Sequence, residues 1–326
     1  MRRYTLGFVI SGLLLVLVFW NTDWREVWAA FQQANRGLLG LSVVVTALGL
    51  WLRARRWSVL FWPARDLDSS ALLDGVNIGY LANNLLPARA GDVVRSYLIS
   101  EWERVSLPHA LSTTVFERLL DSVLVLLLFF GLFPFLPISP GAARLGVAAG
   151  LVLAVVLLGL GLVARRQAQA EALLERGLAL VPRLDNRRWA ARLTELLTAF
   201  SIVRTPRVLV AVLAWSVLVW GDAILVYWLV LRAFSLDVSL AVAVLAIVAA
   251  ALGLAAPSAP AGVGTYEGAV LGALLLAGVE GNVARSVVIA LHTVNFVTLN
   301  LAGIWSLARR GMGYRELARR AEQVAE

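Results

Sequence analysis

Residues 79–96, GYLANNLLPARAGDVVRS, interrupt an otherwise apolar sequence with a run of polar side chains. Two asparagines, a proline, two arginines and an aspartate stand here in a chain that is 60% hydrophobic. Polar, irregular backbone at membrane depth persists only where protein covers it or where it lines a water-filled cavity. The stretch therefore predicts a broken, re-entrant pair of half-helices that forms a site.

Composition places the whole chain among polytopic helical membrane proteins. Its 326 residues are 60% hydrophobic and only 15% charged, which is not the composition of a soluble globular domain. The longest hydrophilic segment, residues 164–205, is amphipathic and too short for a separate catalytic domain of ordinary size. We expect an all-α transmembrane helical bundle in which any activity resides in the membrane part.

The basic residues exclude several functional classes. All 29 are arginine, and they give a net charge of +8. They cluster at the ends of apolar runs, which fits orientation in a bilayer and attraction to anionic lipids better than nucleic-acid binding. Without lysine there is no Walker loop or Schiff base, and without cysteine no thiolate zinc site or cysteine nucleophile. His109 and His292 lie too far apart in the sequence to suggest a metal motif, so no metal or cofactor is expected.

The chain is predicted to be one membrane domain, residues 1–326, in two halves. The first half, 1–163, contains the re-entrant region 71–100, and the second half, 206–308, contains a broken helix at 256–268. The segment 164–205 and the tail 309–326 are expected to be cytoplasmic. Residues 23–36 predict an amphipathic interfacial helix with Thr22 or Asp23 as N-cap. About eight spans are predicted, at 1–20, 37–52, 111–133, 145–163, 208–231, 240–255, 267–277 and 285–307.

The distribution of arginine predicts the orientation. With the N-terminus inside, the inner segments hold 20 arginines and the outer segments hold five. Cytoplasmic loops carry an excess of positive charge. Both termini are therefore expected on the cytoplasmic side.

The break after Pro87 has the features of an anion site. Pro87 ends one half-helix, and Gly91 would let the free N–H groups of the next half-helix approach a bound anion. Arg89 and Arg95 add guanidinium groups, whose planar fork matches phosphate oxygens. A purely structural alternative is that Asp92 caps the half-helix and pairs with Arg95. We favour a substrate site, because ionisable groups inside membrane proteins are costly and usually functional.

Further polar groups fall on the neighbouring spans. Glu117, Arg118 and Asp121 open the third span, and a bracing ion network and a gating or proton-handling role are equally compatible with them. Asp222 lies inside the fifth span and is the better functional candidate of the remaining groups because it is ionisable. The eighth span carries three more polar side chains, for which interhelical hydrogen bonding is the favoured role: His292, Asn295 and Asn300.

A second interrupted stretch, APSAPAGVGTYEG at 256–268, lies in the other half of the chain. Pro260 breaks the helix, Gly262 and Gly264 free the backbone, and Glu267 opens the next apolar run. Both breaks share the order proline, alanine-glycine, acid. Two inverted repeats, whose broken helices meet near the membrane midplane, would account for this pattern.

The motifs NNLLPARAGDVVR, ERLLD and PSAPAGVGTYE, with LRARRW as a weaker fourth, resemble the lysylphosphatidylglycerol synthase/flippase membrane-domain family. They occur in the family's order over most of the chain. The resemblance implies a prokaryotic cytoplasmic membrane protein that transfers a lipid between leaflets. Two departures stand out: Ala261 occupies a position where a second glycine is expected, and no soluble synthetase domain follows Glu326, so aminoacyl transfer is not expected.

The resulting hypothesis is a flippase or scramblase that moves an anionic phospholipid, such as aminoacyl-phosphatidylglycerol, or a polyprenyl-phosphate-linked lipid. The alternative is a membrane-embedded enzyme or accessory factor of lipid-linked glycan assembly. Neither involves nucleic acid, and both are compatible with a homo-oligomer. Proton coupling would fall to Asp92, Asp121, Asp222 or Glu267. The predicted substrate-binding residues are Asn83, Asn84, Arg89, Gly91, Asp92, Arg95, Glu117, Arg118, Asp121, Pro260, Gly262, Gly264 and Glu267.

Overall fold

The computed structural model describes residues 2–62, 67–86, 90–132, 134–135, a scatter of residues between 141 and 155, 205–256, 258–313, and 316, 317 and 319. Within these residues the chain is helical and contains no β-strand. The helices are α1 (Arg2–Phe19), α2 (Trp24–Gln33), α3 (Arg36–Val59), α4 (Ser69–Leu85), α5 (Gly91–Glu103), α6 (Leu107–Gly131), α7 (Pro206–Ala233), α8 (Leu240–Ala255), a 3₁₀ helix (Pro260–Gly262), α9 (Thr265–Leu276) and α10 (Gly281–Arg309).

The architecture confirms the predicted all-α membrane bundle. Three described helices, α3, α7 and α10, are long and apolar enough to cross a membrane. Their outward faces carry exposed aliphatic and aromatic side chains, as lipid contact requires; examples are Val44, Val217 and Leu301. Most of the predicted fourth span, 145–163, and nearly all of the segment 164–205 lie outside the described residues.

The polar side chains that begin the helices satisfy backbone N–H groups that have no partner inside the helix. Asp23 caps α2, accepting from Arg25 N and Glu26 N, which selects Asp23 from the two predicted N-caps. Glu280 accepts from the backbone N–H groups of Asn282 and Val283, both at 2.9 Å. These two bonds lower the pKa of the Glu280 carboxyl below its ordinary value, because they stabilise its charged form.

The core is divided between the two halves of the chain. In the second half, buried side chains of α7, α8, α9 and α10 pack together, including Val230, Ala246 and Leu291. In the first half, Trp57 of α3 is fully buried with Leu72 of α4 and with Ile99 of α5. Extensive contacts between α3 of the first half and α7 of the second half join the two parts of the core.

Both interrupted stretches form helical hairpins. The first joins α4 to α5, and the second joins α8 to α9 through the 3₁₀ helix. α5 has 13 residues and α9 has 12, so they are about 20 and 18 Å long. Both are shorter than a hydrocarbon core, which is about 30 Å thick. α4 packs against the 3₁₀ helix, so the second break lies against the helix that leads into the first.

Candidate functional site

A buried ion cluster joins α3 to α6. Arg56 of α3 donates to both carboxylate oxygens of Asp121, at 2.6 and 3.1 Å, and to Glu117 Oε1 at 3.0 Å. Arg56 and Glu117 are each 1% exposed. Trp220 of α7 donates its indole N–H to Asp121 at 3.2 Å. The fork geometry of arginine thus holds two carboxylates from successive turns of one helix.

The cluster continues to α5 through Arg95 and Asp92. The Arg95 guanidinium lies 3.3 Å from Glu117 and 3.5 Å from Asp92, and it stacks on the Trp57 ring at 4.7 Å. Arg118 of α6 donates to both oxygens of Asp92, at 2.6 and 2.9 Å. Three arginines and three carboxylates therefore form one connected cluster in which the formal charges balance.

Exposure increases along the cluster toward the outside of the bundle. The Arg95 side chain is 4% exposed, whereas those of Asp92 and Arg118 are 31% and 42% exposed. A charge that stays accessible within a membrane bundle is a candidate functional group, because such charges are costly to maintain. The accessible end of the cluster is thus the Asp92–Arg118 pair.

A groove of about 270 Å³ between α5 and α6 is lined in part by this pair. Val93 and Val115 on its walls are 36% and 48% exposed, so the groove opens on the outer surface of the bundle. Its walls are mostly apolar apart from the ion pair and two hydroxyls. The lining residues are Asp92, Val93, Leu111, Thr114, Val115, Arg118, Leu119 and Ser122.

Glycine at the first break lets the backbones of α4 and α5 touch. A Cβ on Gly91 would collide with the Gly79 carbonyl oxygen and with Asn83. The Gly91 N–H donates to Asn83 Oδ1 at 2.9 Å, so Asn83 caps α5 from α4. Asn84, the next residue, donates to Asn300 of α10 at 3.3 Å. The hairpin is thereby fixed at its tip and tied to the second half of the chain.

The second break contains three residues with positive φ among four consecutive positions. Ala261 has φ of 60°, Gly262 of 72° and Gly264 of 88°. The glycine expected at position 261 is thus replaced by alanine at a position where the backbone favours glycine. A Cβ on Gly264 would collide with the backbone of Ser11 in α1, and Ser11 Oγ accepts from Ala259 N at 2.8 Å.

Glu267 holds the start of α9. Its Oε2 accepts from the Gly264 N–H at 2.6 Å, and its Oε1 lies 2.6 Å from His292 Nδ1 on α10. Glu267 is 7% exposed. This carboxylate therefore connects the second break to the last long helix.

The structure divides the predicted site residues into two groups. Around the first break it brings together Asp92, Arg95, Glu117, Arg118 and Asp121, with Asn83, Asn84 and Gly91 supporting the backbone. Around the second break it groups Pro260, Gly262, Gly264 and Glu267. Arg89 lies outside the described residues. Asp222 belongs to neither group: it is 8% exposed and lies against Gly49 of α3.

The predicted interhelical role of the eighth-span residues holds for two of three. His292 contacts α9 and Asn300 accepts from α4, whereas Asn295 bonds within its own helix to the Leu291 carbonyl at 2.9 Å. Within the described part of the chain, no group of three His, Asp or Glu side chains is arranged to hold a metal ion.

Two residues of the site were not among the predicted site residues. Arg56 belongs to the LRARRW motif, and the predicted second span ends before it, at residue 52. The absence of glycine and proline from residues 53–62 is the sequence signal that the helix can continue through Arg56. The pairing of His292 with Glu267 joins residues distant in sequence, and no local pattern marks it.

The sequence matches the family described as the lysylphosphatidylglycerol synthase TM region over residues 4–303, a range that includes both breaks and the ion cluster. The chain belongs to this family. It is therefore a multi-pass integral membrane protein, as its apolar helices also indicate.

Two curated proteins show how far the similarity extends. A UPF0104 membrane protein of Methanothermobacter thermautotrophicus is 24% identical over 306 residues, covering 89% of this chain and 90% of that protein. A protein named glycosyltransferase AglD, from Haloferax volcanii, is 27% identical over 123 residues, covering 37% of this chain and 20% of that protein. No solved structure matches the chain significantly.

Proposed function

We propose that this family member is a flippase- or scramblase-type transporter that moves an anionic phospholipid or a polyprenyl-phosphate-linked lipid between leaflets. The observation that carries the proposal is the groove between α5 and α6, which opens outward and is lined by the Asp92–Arg118 pair. An apolar wall beside a charged pair suits an amphiphile. Acyl or prenyl chains would contact the valines and leucines while the head group meets the charges.

Arg118 would bind the phosphate by exchanging one partner for another. Its two N–H donors now bind both oxygens of Asp92, and a phosphate offers the same bidentate acceptor geometry. Asp92 would keep the Arg95 guanidinium, which lies 3.5 Å away. For an aminoacylated head group, the released Asp92 would also accept from the ammonium.

The buried residues of the cluster would keep their present partners while Arg118 exchanges Asp92 for the phosphate. Arg56 and Arg95 are enclosed and paired with Glu117 and Asp121, so they stabilise the junction of α3, α5 and α6. Removing one member of such a group leaves an uncompensated charge, which costs several kcal/mol. The accessible pair alone would therefore change partners during transfer.

A second candidate is a role in lipid-linked glycan assembly, favoured by the local similarity to the protein named glycosyltransferase AglD. An enzyme would change the lipid chemically, whereas a flippase would deliver it unchanged to the other leaflet. Mass spectrometry of the lipid after the transport assay separates the two.

The test is lipid transfer in liposomes containing fluorescent phosphatidylglycerol or a fluorescent polyprenyl phosphate, followed by reduction of the outer-leaflet label. We expect Arg118→Gln and Asp92→Asn each to slow transfer by about tenfold or more, the equivalent of one charge-assisted hydrogen bond. The double variant restores the charge balance of the cluster and is expected to fold while remaining slow.

The matched control is Arg232→Gln, which removes an exposed arginine paired with Asp237 at 2.9 Å outside the groove. It should transfer lipid at the parental rate. Parental rates in a correctly folded Arg118→Gln, Asp92→Asn double variant would overturn the assignment of the groove.

A further inference from the structure

The Glu267–His292 pair is a second site of buried charge, separate from the arginine cluster. His292 Nδ1 lies 2.6 Å from Glu267 Oε1, and the two side chains are 18% and 9% exposed. The His292 ring packs edge-on against Tyr266 with 5.0 Å between ring centroids. A carboxylate and an imidazole in this geometry share a site that can hold one additional proton.

The pair occupies the same place in its hairpin as Asp92–Arg118 does in the first. Asp92 is the second residue of α5, and Arg118 is the twelfth residue of α6. Glu267 is the third residue of α9, and His292 is the twelfth residue of α10. Each hairpin thus presents an acid near the start of its short helix to the same turn of the following long helix.

The two pairs differ in one chemical property. Arginine stays protonated at any pH that the cell experiences, so the first pair has a fixed charge. Histidine is the side chain whose unperturbed pKa, about 6.5, allows a change of charge near neutral pH. Of the two basic partners, only His292 can therefore change its charge near neutral pH.

The described charged groups on the helices around the Glu267–His292 pair make their contacts away from it. The hydroxyls of Tyr266 on α9 and Tyr227 on α7 share a hydrogen bond of 2.8 Å. These tyrosines are the titratable groups next to the Glu267–His292 pair. α8 and the described side chains of α1 carry no charge. Other charged groups on helices packed against α10 make their described contacts elsewhere: Glu26 with Asn282, Asp74 with Arg309 and Arg310, and Arg53 and Asp222 around Gly49.

We propose that Glu267 and His292 form a proton-binding site whose occupancy sets the rate of lipid transfer. The proposal rests on the transport function proposed above. Uptake of one proton from the medium makes His292 an imidazolium, which attracts the Glu267 carboxylate more strongly. Because the same carboxylate binds the Gly264 N–H, protonation would hold the second break against α10, and release of the proton would free it.

Histidine NMR tests the proton site without any transport measurement. The chain has two histidines, so protein labelled at its histidine rings gives two signals, and His292→Gln identifies one of them. We expect the His292 signal to change with pH in the parental protein, and to respond differently in Glu267→Gln, because the charge beside the ring is lost. A His292 signal that is the same at every pH, or one whose pH response is unaffected by Glu267→Gln, would overturn the site.

The pH profile of lipid transfer tests the link to transport. Parental protein should transfer lipid more slowly as the pH falls from about 8 to about 5, the range in which imidazole side chains change charge, and His292→Gln should give a flat profile. Asp237→Asn, at an exposed carboxylate paired with Arg232, should keep the parental profile. A parental profile in His292→Gln, or a flat one in Asp237→Asn alone, would refute the link. If neither the parental protein nor any variant transfers lipid, the transport proposal fails. The NMR experiment still tests the proton site in that case.

Discussion

Arg56 is the residue on which the junction of α3 and α6 depends most directly. Its guanidinium is 1% exposed and binds Asp121 and Glu117. We expect Arg56→Met to destabilise the protein by about 3–5 kcal/mol, because two carboxylates would remain buried without their partner. A thermal unfolding curve of detergent-solubilised protein measures the loss as a fall in Tm.

Arg232→Gln again provides the control for arginine removal. Arg232 is 41% exposed at its side chain and Asp237 is fully exposed, and exposed ion pairs contribute about 0–1 kcal/mol. Equal Tm values for the Arg56 and Arg232 variants would show that the cluster contributes little to stability.

At the level of single residues, the sequence predicted which charged residues form the site better than it predicted which of them pair with each other. Asp92, Glu117, Arg118 and Asp121 were selected because charges are rare inside spans, and they do form one cluster. The Asp92–Arg95 pair of the structural alternative is present at 3.5 Å, and Asp92 also binds Arg118 at 2.6 Å. Spacing along a helix reveals neighbours three or four residues apart, whereas Arg118 reaches Asp92 from another helix.

The first hairpin depends on the contact between Gly91 and Gly79. A methyl group at position 91 would collide with a backbone carbonyl of α4, which cannot turn away as a side chain can. We expect Gly91→Ala to separate α4 from α5, lower the Tm and abolish lipid transfer. Overpacking of this kind typically costs about 1–3 kcal/mol.

Gly272→Ala in α9 is the matched substitution, since a Cβ there meets nothing within 4 Å. It should be neutral or slightly stabilising, because alanine favours helix more than glycine does. If Gly91→Ala behaved like Gly272→Ala in both assays, the close approach would not be required for the fold.

At the level of helices, the sequence predicted the two breaks more accurately than it predicted where the helices end. Pro87 with Gly91, and Pro260 with Gly262, marked both hairpins. The predicted second span ended at Leu52, but α3 continues to Val59. An arginine-rich sequence normally signals the membrane surface, and here Arg56 faces an acidic partner inside the bundle. Hydropathy alone does not distinguish these two environments.

The two halves of the molecule are joined by a polar seam between α4 and α10. Asp74 is fully buried, and its Oδ2 accepts from Arg309 and Arg310, both at 2.6 Å. One helical turn along, Asn77 donates to Ser306 at 3.0 Å. Gly303 allows Leu81 to approach closely. Such a seam fixes the first hairpin against the last helix of the second half.

This seam could not be predicted from the sequence, because its members lie more than 200 residues apart and each pair is unremarkable alone. The adjacency of the two breaks was expected from their shared order of residue types, and α4 does pack against the 3₁₀ helix. If the two broken helices meet, Arg89 and Glu267 are expected to face one interior space; this stays a prediction, since Arg89 lies outside the described residues.

Orientation of the whole molecule gives the last prediction. The arginine distribution, 20 inside against five outside, predicts that the α7–α8 turn is external and that the residues after α10 are cytoplasmic. The chain contains no cysteine, so single cysteines can be introduced without removing native ones. Asp237→Cys and Gly313→Cys place a thiol at exposed positions at these two locations. In intact cells, a membrane-impermeant maleimide should label position 237 and should label position 313 only after lysis; the reverse pattern would invert the topology and place the Asp74–Arg309 seam on the outer side.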